Sequence, residues 1–475
     1  MPFSEKIKNE VRNKAFHRCS ICHRLETIQI HHIIPQNEGG PDDQNNATPL
    51  CTNCHKIYGS NPLKRKFLKE KRDEWYNNAE SIIYGNTHDR ERGINQDKGI
   101  IINNLIHRIG FHCESSSLRD LFEFYGFPMS EPMAFGLDAT LGFGFFDTTG
   151  QVSFMPKSDI PFFLGGKQGT IEPNSLACRL LGITLRKQSF TNTDKAWEES
   201  KRMLKQNTPL ILRVDIAYMP YEGFDDEMEE AHFGGHAVVL GGYNEEIGIA
   251  YIGDTEFEGF QEVPIDILKT ARSSTYGPKF MHPGNTQFSM TRRADGKHPP
   301  LAAGVKLAIQ KVVNNMLRPS MNSNGIQGLK QFANSILTWG DKLNKTITNS
   351  KGNEISLGRM MFELMHGYIE TWGTGGGSFR KLYKEFLEEL LSHPELKEGP
   401  RAWNSYEFGI IEECIPIISD SAQNWTLIAE TLKNAGDEYK DDCINHVDFG
   451  ELHNTVINIL TKEEELFTRL SKIKN

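Results

Sequence analysis

Two Cys-x-x-Cys pairs in the first 54 residues constrain the fold of this 475-residue chain more than any other feature. Cys19 with Cys22, and Cys51 with Cys54, each present two sulfur atoms within one turn, and together they complete a tetrahedral zinc site. Clustered cysteines in a reducing cytosol indicate metal rather than disulfides, which makes four unrelated buried thiols the weaker interpretation. A unit this small buries little apolar surface, so we expect a structural Zn²⁺ to supply folding free energy.

A second set of candidate ligands lies between and beside these pairs: His31, His32, Asn46 and His55. Sulfur already saturates the zinc, so these side chains need another role. The segment TIQIHHII alternates like a strand, Gly39, Gly40 and Pro41 turn the chain, and the last histidine directly follows a zinc ligand where a helix is expected to start. Regular alternation would send the two adjacent histidines to opposite faces, so one shared site requires the strand end to twist or bulge.

Residues 15–60 resemble the HNH, or ββα-metal, endonuclease family on this His-His, Asn, His pattern with its flanking zinc pairs. The resemblance implies that His32 is the general base that deprotonates water and that His31 and His55 bind the catalytic cation. It implies that Asn46 orders the loop and helps to position the base or the metal. Phosphodiester hydrolysis needs an activated water and neutralisation of phosphate charge, which a neutral imidazole and a divalent cation supply. Mg²⁺, Mn²⁺ and Ni²⁺ are the candidate ions, and two imidazoles suit Mg²⁺ least.

Charge is unevenly distributed along the chain. Residues 1–75 hold 13 Lys and Arg against 9 Asp and Glu, although the whole chain carries −9. A basic segment on an acidic body suits contact with DNA, while a merely solvated surface explains the charge alone equally well. The candidate phosphate contacts are Lys56, Lys64, Arg65, Lys66, Lys69, Lys71 and Arg72. A zinc module that binds nucleic acid without cutting it remains an alternative.

The middle of the chain contains a second candidate site. Cys113 lies at the expected start of a helix, where Ser115–Ser117 are able to cap it and where a helix N-terminus favours thiolate. His236 heads an expected strand and Asp254 ends the next one. Cys, then His, then Asp is the chain order of papain-like sites, in which His activates Cys and an acid orients the His. A core thiol in a ligand-sensing scaffold is the alternative.

The stretches GFHCESSSLRDLFEFYGFPMSEPMAFGL, LRVDIAYMPY and HFGGHAVVLGGYNEEIGIAYIGDTEFEGFQEV resemble the N-terminal domain of butirosin biosynthesis protein H, over roughly residues 108–275. That family is related to papain-like cysteine peptidases, and its named member resembles an acyltransferase acting on a carrier-protein thioester. The resemblance implies that Cys113 is the nucleophile, His236 the base and Asp254 the orienting acid. The position six residues before the nucleophile, usually Gln in papain-like enzymes, is His107. We expect His232 to be structural and Cys178, Cys414 and Cys443 to be core thiols.

Residues from about 300 onward show helical periodicity, as in AAGVKLAIQKVVNNML, GLKQFANSILTWGDKL and NWTLIAETLKNAG. The stretch YIETWGTGGGSFRKLYKEFLEELL resembles the uncharacterised helical domain that commonly follows the butirosin-type domain. Its glycines, with Arg380 one turn into the next helix, are able to bind the phosphate of a phosphopantetheine arm. A tight turn that lets helices pack closely is the favoured interpretation.

These patterns predict a multidomain α+β protein with four segments: a ββα-metal, zinc-containing HNH endonuclease head at 1–80, a linker at 81–100, a papain-like α+β domain at 101–295 and an all-α domain at 296–475. We expect metal-dependent cleavage of DNA, gated by the papain-like sensing or acyl-transfer module, in a cytoplasmic antiviral role. The alternatives are a cysteine acyltransferase or peptidase with an accessory HNH domain, and a pure nucleic-acid-binding regulator. An acyl carrier, a peptide or a small molecule is the expected ligand of the middle domain, no membrane segment is expected, and cutting both strands would suit a homodimer.

Overall fold

The computed structural model describes residues 3–15, 18–21, 28–51, 54–55, 64–84, 99–147, 160–222, 232–277, 279–294, 296–348 and 352–474. In this part of the chain the strands, in order, are β1 (Ile28–His32), β2 (Ala47–Cys51), β3 (Gly99–Ile101), β4 (Leu141–Asp147), β5 (Phe162–Lys167), β6 (Ile183–Gln188), β7 (Leu210–Val214), β8 (His236–Asn244), β9 (Ile249–Gly253), β10 (Phe260–Pro264), β11 (Gln287–Arg292), β12 (Thr346–Thr348) and β13 (Glu354–Ser356).

The described α-helices, in order, are α1 (Glu5–Lys14), α2 (Arg65–Tyr84), α3 (Cys113–Phe124), α4 (Glu131–Asp138), α5 (Leu176–Leu180), α6 (Thr193–Lys205), α7 (Ile265–Ser273), α8 (Leu301–Leu317), α9 (Gly325–Ile336), α10 (Trp339–Leu343), α11 (Leu357–His366), α12 (Arg380–Leu390), α13 (Pro394–Glu398), α14 (Ser405–Tyr439) and α15 (Phe449–Leu470). Helix α11 continues into a π-helical turn, Gly367–Thr371. Together the elements form the multidomain α+β protein that the sequence predicts, with a helical C-terminal region.

The chain divides into two compact units. The first comprises Met1–Ile109, Ser200–Pro209 and Val239–Ile265, and the second comprises Gly110–Glu199, Leu210–Val238 and Asp266–Asn475. Each unit is assembled from separate stretches of the chain, so this division does not test the four predicted segments. The boundaries of those segments remain predictions.

The head of the first unit is built on a two-stranded antiparallel sheet. Strands β1 and β2 pair with His31 opposite Thr48 and His32 opposite Ala47. One small apolar cluster contains the three described zinc-site cysteines with Ile33, Leu50 and Leu68, and a second joins Phe3, Val11 and Ala47. The indole Nε1 of Trp75 donates to the carbonyl of Ala15 at 3.1 Å, which fastens α2 to the end of the first helix. The remaining strands of this unit pair antiparallel in the order β3, β8, β9, β10.

The second unit combines antiparallel strands with most of the helices. Strand β11 pairs with both β6 and β7, and β4 pairs with β5. The core of this unit is aromatic: the ring of Trp425 lies 5.5 Å from Phe143 and 5.8 Å from Phe332, and Phe162 stacks on Trp339 at 4.6 Å. These rings join the β4–β5 hairpin to the C-terminal helices.

Arg380 and Glu463 form a buried ion pair beside these rings. The Arg380 guanidinium donates to both Glu463 carboxylate oxygens at 2.7 and 2.8 Å, and also to the carbonyls of Gly142 and Ser378. The hydroxyl of Ser421 and the indole of Trp425 donate to the same carboxylate. The guanidinium is therefore fully engaged by core partners, which overturns the idea that Arg380 binds a phosphate.

The tight-turn interpretation of the glycines in the stretch WGTGGGS is confirmed. These glycines have positive φ, and a Cβ on Gly377 would lie 3.0 Å from Ala422 Cα.

Several predicted elements differ from the observed ones. The run GIIINNLI forms a strand only over Gly99–Ile101, because the chain turns at Asn104, which has a φ of 63°. The segment GLKQFANSILTWGDKL is two helices that part at Leu337–Thr338. The run NWTLIAETLKNAG is only part of α14, whose 35 residues include Pro416. Among the described helices, none combines the length and apolar character that crossing a bilayer requires.

Candidate functional site

Three of the four predicted zinc ligands lie together in the head. The sulfur atoms of Cys19, Cys51 and Cys54 are all within 4.8 Å of one another and buried. Tetrahedral zinc with bonds of about 2.3 Å places its sulfur ligands roughly 3.8 Å apart, so this cluster fits such an ion. The backbone N–H of Cys54 donates to Cys51 Sγ at 3.4 Å, as expected for a chain that turns around a metal. Cys22 falls outside the described residues, and its role as the fourth ligand remains a prediction.

Asn46 closes the loop between the two strands of the head. Its Oδ1 accepts from the N–H of Ile34 at 2.8 Å, and its Nδ2 donates to the carbonyls of Ile34 and Pro41 at 2.9 and 3.0 Å. A Cβ on Gly40 would lie 1.8 Å from the Ile34 carbonyl oxygen, so the close approach needs glycine there. The Asp43 side chain caps the 3-10 turn Gln44–Asn46. The side-chain amide of Asn46 thus links the two ends of the loop, while its role in positioning the base or the metal, which the family resemblance implies, remains a prediction.

His31 and His55 face each other. The Nδ1 atom of His31 lies 3.1 Å from Nε2 of His55, and the two rings meet edge to face at 83°. Metal–nitrogen bonds of about 2.0–2.1 Å from one ion require two ligand nitrogens to lie roughly 3 Å apart, and this pair does. Cys54 and His55 are both helical, which places the second imidazole directly after a candidate zinc ligand. The pair is therefore suited to bind one divalent cation.

His32 contacts a different set of neighbours. Its Nε2 lies 2.7 Å from Oδ1 of Asp42, and its ring stacks on Phe3 with centroids 3.6 Å apart and planes 9° from parallel. The side chain is 17% exposed, enough for water to reach the ring. His31 and His32 thus make separate contacts, as strand alternation requires. Sequence reasoning missed Asp42, although the Pro-Asp-Asp run that ends the predicted turn was a visible signal.

The basic side chains of α2 divide into exposed and structural groups. Lys66 is 88% exposed and pairs with Glu70 at 3.7 Å, an exposed contact of the kind that contributes little, so a polyanion can still reach its ammonium. Arg65 pairs with Glu38 at 2.8 Å. The predicted phosphate contact at Arg72 is wrong, because this side chain is buried and donates to the carbonyls of Asn45 and Ala47 at 2.6 and 3.2 Å. Lys56 lies outside the described residues.

Cys113 is the first residue of α3, as predicted, and it is partly exposed, whereas the other described cysteines are buried. The expected serine cap is wrong: the N-cap is His112, whose Nδ1 accepts from the N–H of Ser115 at 3.2 Å. Burial and the nearby Lys167 lower the pKa of His112 to about 3, so the ring is neutral and can accept. Cys178, Cys414 and Cys443 are buried, which confirms them as core thiols, and burial raises the pKa of Cys178 and Cys414 to about 12.

A buried carboxylate lies next to Cys113. Glu114 pairs with Lys167 and with Arg213, and Arg213 also donates to the carbonyl of Gly235. The two cations hold the pKa of Glu114 below its usual value despite burial. Arg213 thus connects the residue after Cys113 to the residue before His236. Sequence reasoning missed this connection, because a Glu inside a Cys-Glu-Ser run and a lone Arg in a strand carry no signal of contact.

The other predicted residues of this site have mixed outcomes. His236 begins β8 and Asp254 directly follows β9, as expected, and both are buried. Cys113 and His236 belong to the second unit and Asp254 to the first, and their catalytic arrangement remains a prediction. A Glu222 carboxylate oxygen, which sequence reasoning missed, lies within 4.8 Å of a His236 ring nitrogen. His107 directs Nε2 at the carbonyls of Asp254 and Phe257, so this N–H is not offered to an oxyanion.

His232 is structural, as predicted. Its Nδ1 lies 2.8 Å from the Asp215 carboxylate, which also accepts from the hydroxyl of Ser274 at 2.6 Å. The ring of Tyr276 stacks on the His232 ring with centroids 3.9 Å apart. This cluster fixes the segment that leads into β8.

Three family descriptions match separate segments of the chain. Residues 19–61 match HNH endonuclease, residues 112–255 match the N-terminal domain of butirosin biosynthesis protein H, and residues 266–470 match a domain of unknown function, DUF4872. The chain is also similar to anaredoxin of Nostoc sp. (strain PCC 7120 / SAG 25.82 / UTEX 2576), with 35% identity over 60 residues, which are 12% of this chain and 79% of anaredoxin. The three domain matches confirm the fusion expected from the sequence.

Proposed function

The chain belongs to the HNH endonuclease family through its N-terminal domain, which is fused to a butirosin biosynthesis protein H N-terminal domain and to a DUF4872 domain, and we propose that it hydrolyses DNA phosphodiester bonds. One observation carries the proposal most strongly: the 3.1 Å approach of His31 Nδ1 to His55 Nε2 beside the cysteine cluster. A binding module needs one zinc site to fold, whereas a second pair of metal-ligand nitrogens serves chemistry.

The cysteines, the three histidines and the asparagine of the head each have a role in this proposal. The cysteine sulfurs would hold structural zinc, and His31 with His55 would hold a divalent cation, for which Mn²⁺ and Ni²⁺ suit imidazole better than Mg²⁺. Such a cation polarises the phosphoryl group and neutralises charge on the leaving oxygen. His32 takes the proton of the attacking water, and Asn46 keeps the loop closed. The proposal requires a phosphate at the end of β1 to face both the cation and His32.

A cleavage assay tests the proposal against its alternatives. Purified protein is incubated with supercoiled plasmid in separate reactions that each contain one ion, Mg²⁺, Mn²⁺, Ni²⁺ or Zn²⁺. The nicked and linear products are then measured. We expect cleavage with at least one ion and none with chelator. A pure binding regulator would shift the mobility of DNA without any product under every ion.

We also propose a cysteine-dependent acyl-transfer or peptidase activity in the second domain as the alternative function. The observation that favours it is the partly exposed Cys113 at a helix N-terminus, connected through Glu114 and Arg213 to the residue before His236. Its ligand would be an acyl carrier, a peptide or a small molecule. An activated Cys113 should react with iodoacetamide much faster than Cys178, and it should slow when His236 is replaced by Ala. Equal reaction of the two thiols would argue against activation.

We propose further that the second and third domains gate the nuclease in a cytoplasmic antiviral role. An uncontrolled nuclease would damage the DNA of its own cell, which supports a control element on the same chain. Clustered zinc thiolates suit a reducing compartment. If gating holds, Cys113→Ala should change the regulation of cleavage and leave basal cleavage in place.

A further inference from the structure

Asp42 contacts the proposed general base directly. Its Oδ1 lies 2.7 Å from Nε2 of His32, and Nε2 of Gln36 donates to the same oxygen at 2.5 Å. Neither the family resemblance nor the domain matches assign a role to this carboxylate.

The contact fixes which nitrogen of His32 is available to water. An ionised carboxylate only accepts hydrogen bonds, so the His32 nitrogen facing it must carry the proton. In the neutral imidazole the other nitrogen, Nδ1, then has the free lone pair that can take a proton. The hydrogen bond from His32 also lowers the pKa of Asp42, which keeps the carboxylate charged.

The ring is restrained in orientation as well as in tautomer. Phe3 stacks on His32 with planes only 9° from parallel, which limits tilting of the imidazole, and the bond to Asp42 limits rotation within the plane. Asp42 is itself held in place, because Asn46 Nδ2 donates to the carbonyl of Pro41, the residue before it. The loop clasped by Asn46 thus sets the position of the carboxylate, and the carboxylate sets the position of the ring.

We propose that Asp42 is a positioning residue of the nuclease, which holds His32 so that Nδ1 faces the attacking water. This inference rests on the proposed nuclease function. An exposed carboxylate–histidine contact contributes little to stability, and Asp42 is 44% exposed, so its effect should be on turnover rather than on folding.

The test compares Asp42→Ala and Asp42→Asn with Glu38→Gln in the plasmid assay. Glu38 is a matched control, because it is an exposed carboxylate of the same loop that pairs with Arg65 instead of a histidine. Loss of an orienting partner of this kind typically costs about 10–100-fold in activity, and we expect that loss in kcat for Asp42→Ala with KM for DNA nearly unchanged. Asp42→Asn retains an acceptor oxygen and should recover most of kcat, while Glu38→Gln should keep the wild-type kcat.

A double-mutant cycle separates this inference from the proposed function. In a His32→Ala background, Asp42→Ala should cause no further loss, because the carboxylate acts only through the ring. Equal losses in both backgrounds, an Asp42→Ala enzyme with wild-type kcat, or an Asp42→Asn enzyme as slow as Asp42→Ala would each overturn the positioning role. If the wild type cleaves and His32→Ala keeps only a slow residual rate, these outcomes reject the role of Asp42 alone. Absence of cleavage by the wild type rejects the nuclease function itself.

Discussion

The Nδ1 atom of His31 and the Nε2 atom of His55 lie 3.1 Å apart, although 24 residues separate them in the chain. Three features bring them together: the strand that ends in the histidine pair, the loop that Asn46 closes, and the cysteine cluster, whose last member directly precedes His55. If the cysteine cluster holds zinc and the imidazole pair holds a second ion, as proposed, folding around the first metal would position a ligand for the second.

Removal of a zinc ligand should unfold the head. Structural zinc contributes roughly 10–16 kcal/mol of apparent binding free energy in small zinc modules, and the described residues of this head form small apolar clusters that cannot replace it. We expect Cys54→Ser to lose bound zinc, measured by elemental analysis, and to lose amide-exchange protection over residues 28–51. Cys178→Ser, at a buried thiol far along the chain, is the control and should keep its zinc.

Asn46→Ala should loosen the loop of the head. The substitution removes three hydrogen bonds and leaves the N–H of Ile34 without its acceptor. At about 1 kcal/mol for each net bond, and with a partly buried Ile34 N–H that water can reach, we expect roughly 2–3 kcal/mol of local destabilisation. Hydrogen exchange of residues 33–46 measures it. Exchange as slow as in the wild type would show that the amide does not hold the loop.

Arg380→Met should destabilise the second unit, because it leaves the buried Glu463 carboxylate without its cation. Removing one partner of a buried pair costs about 3–5 kcal/mol, and replacing both partners by apolar residues can be neutral. Denaturant unfolding should therefore show a large loss for Arg380→Met and substantial recovery for Arg380→Met with Glu463→Leu. Lys381→Met, at a neighbouring pair with 42% exposure of the lysine, should change stability little.

The stability of the second unit should fall in acid because of His112. The pKa of this ring is about 3 in the folded protein and near 6.5 in an unfolded chain. Below pH 6.5 the unfolded chain takes up a proton that the folded protein does not, so stability is lost between about pH 6.5 and 3. Protonation of Nδ1 would also break the helix cap at Ser115. Urea unfolding of His112→Asn, which keeps a capping side chain, should show a shallower pH dependence over this range.

Metal-ligand spacing carried most of the information that the sequence offered about the site. The ligand types and their spacing around a Gly-Gly turn pointed to the loop, and the structure shows the predicted clasp by Asn46 and the approach of His31 to His55. Asp42 and Arg213 act through contacts between side chains that are distant or unpatterned in the sequence. Such contacts depend on loop closure and strand order, which local propensity does not encode.

Contacts that local propensity does not encode also explain why some observed elements differ from the predicted ones. Helix α14 runs through Pro416, because packing over 35 residues outweighs the loss of one backbone hydrogen bond. The start of this helix can be predicted from the sequence, since Asn404 and Glu407 form a capping box. The basic charge of the head suggests Arg72 as a phosphate contact, and the glycine-rich turn leaves Arg380 as a weaker candidate. In the structure both side chains donate to buried carbonyls instead.

The most direct test of the nuclease assignment is the rate of plasmid nicking by wild type, His32→Ala and Cys113→Ala under the most active divalent ion. Removal of a positioned general base typically costs about 10²–10⁴-fold, so His32→Ala should show little product, while Cys113→Ala should keep basal cleavage. Nicking by His32→Ala at the wild-type rate, with zinc content and folding unchanged, would contradict the assignment.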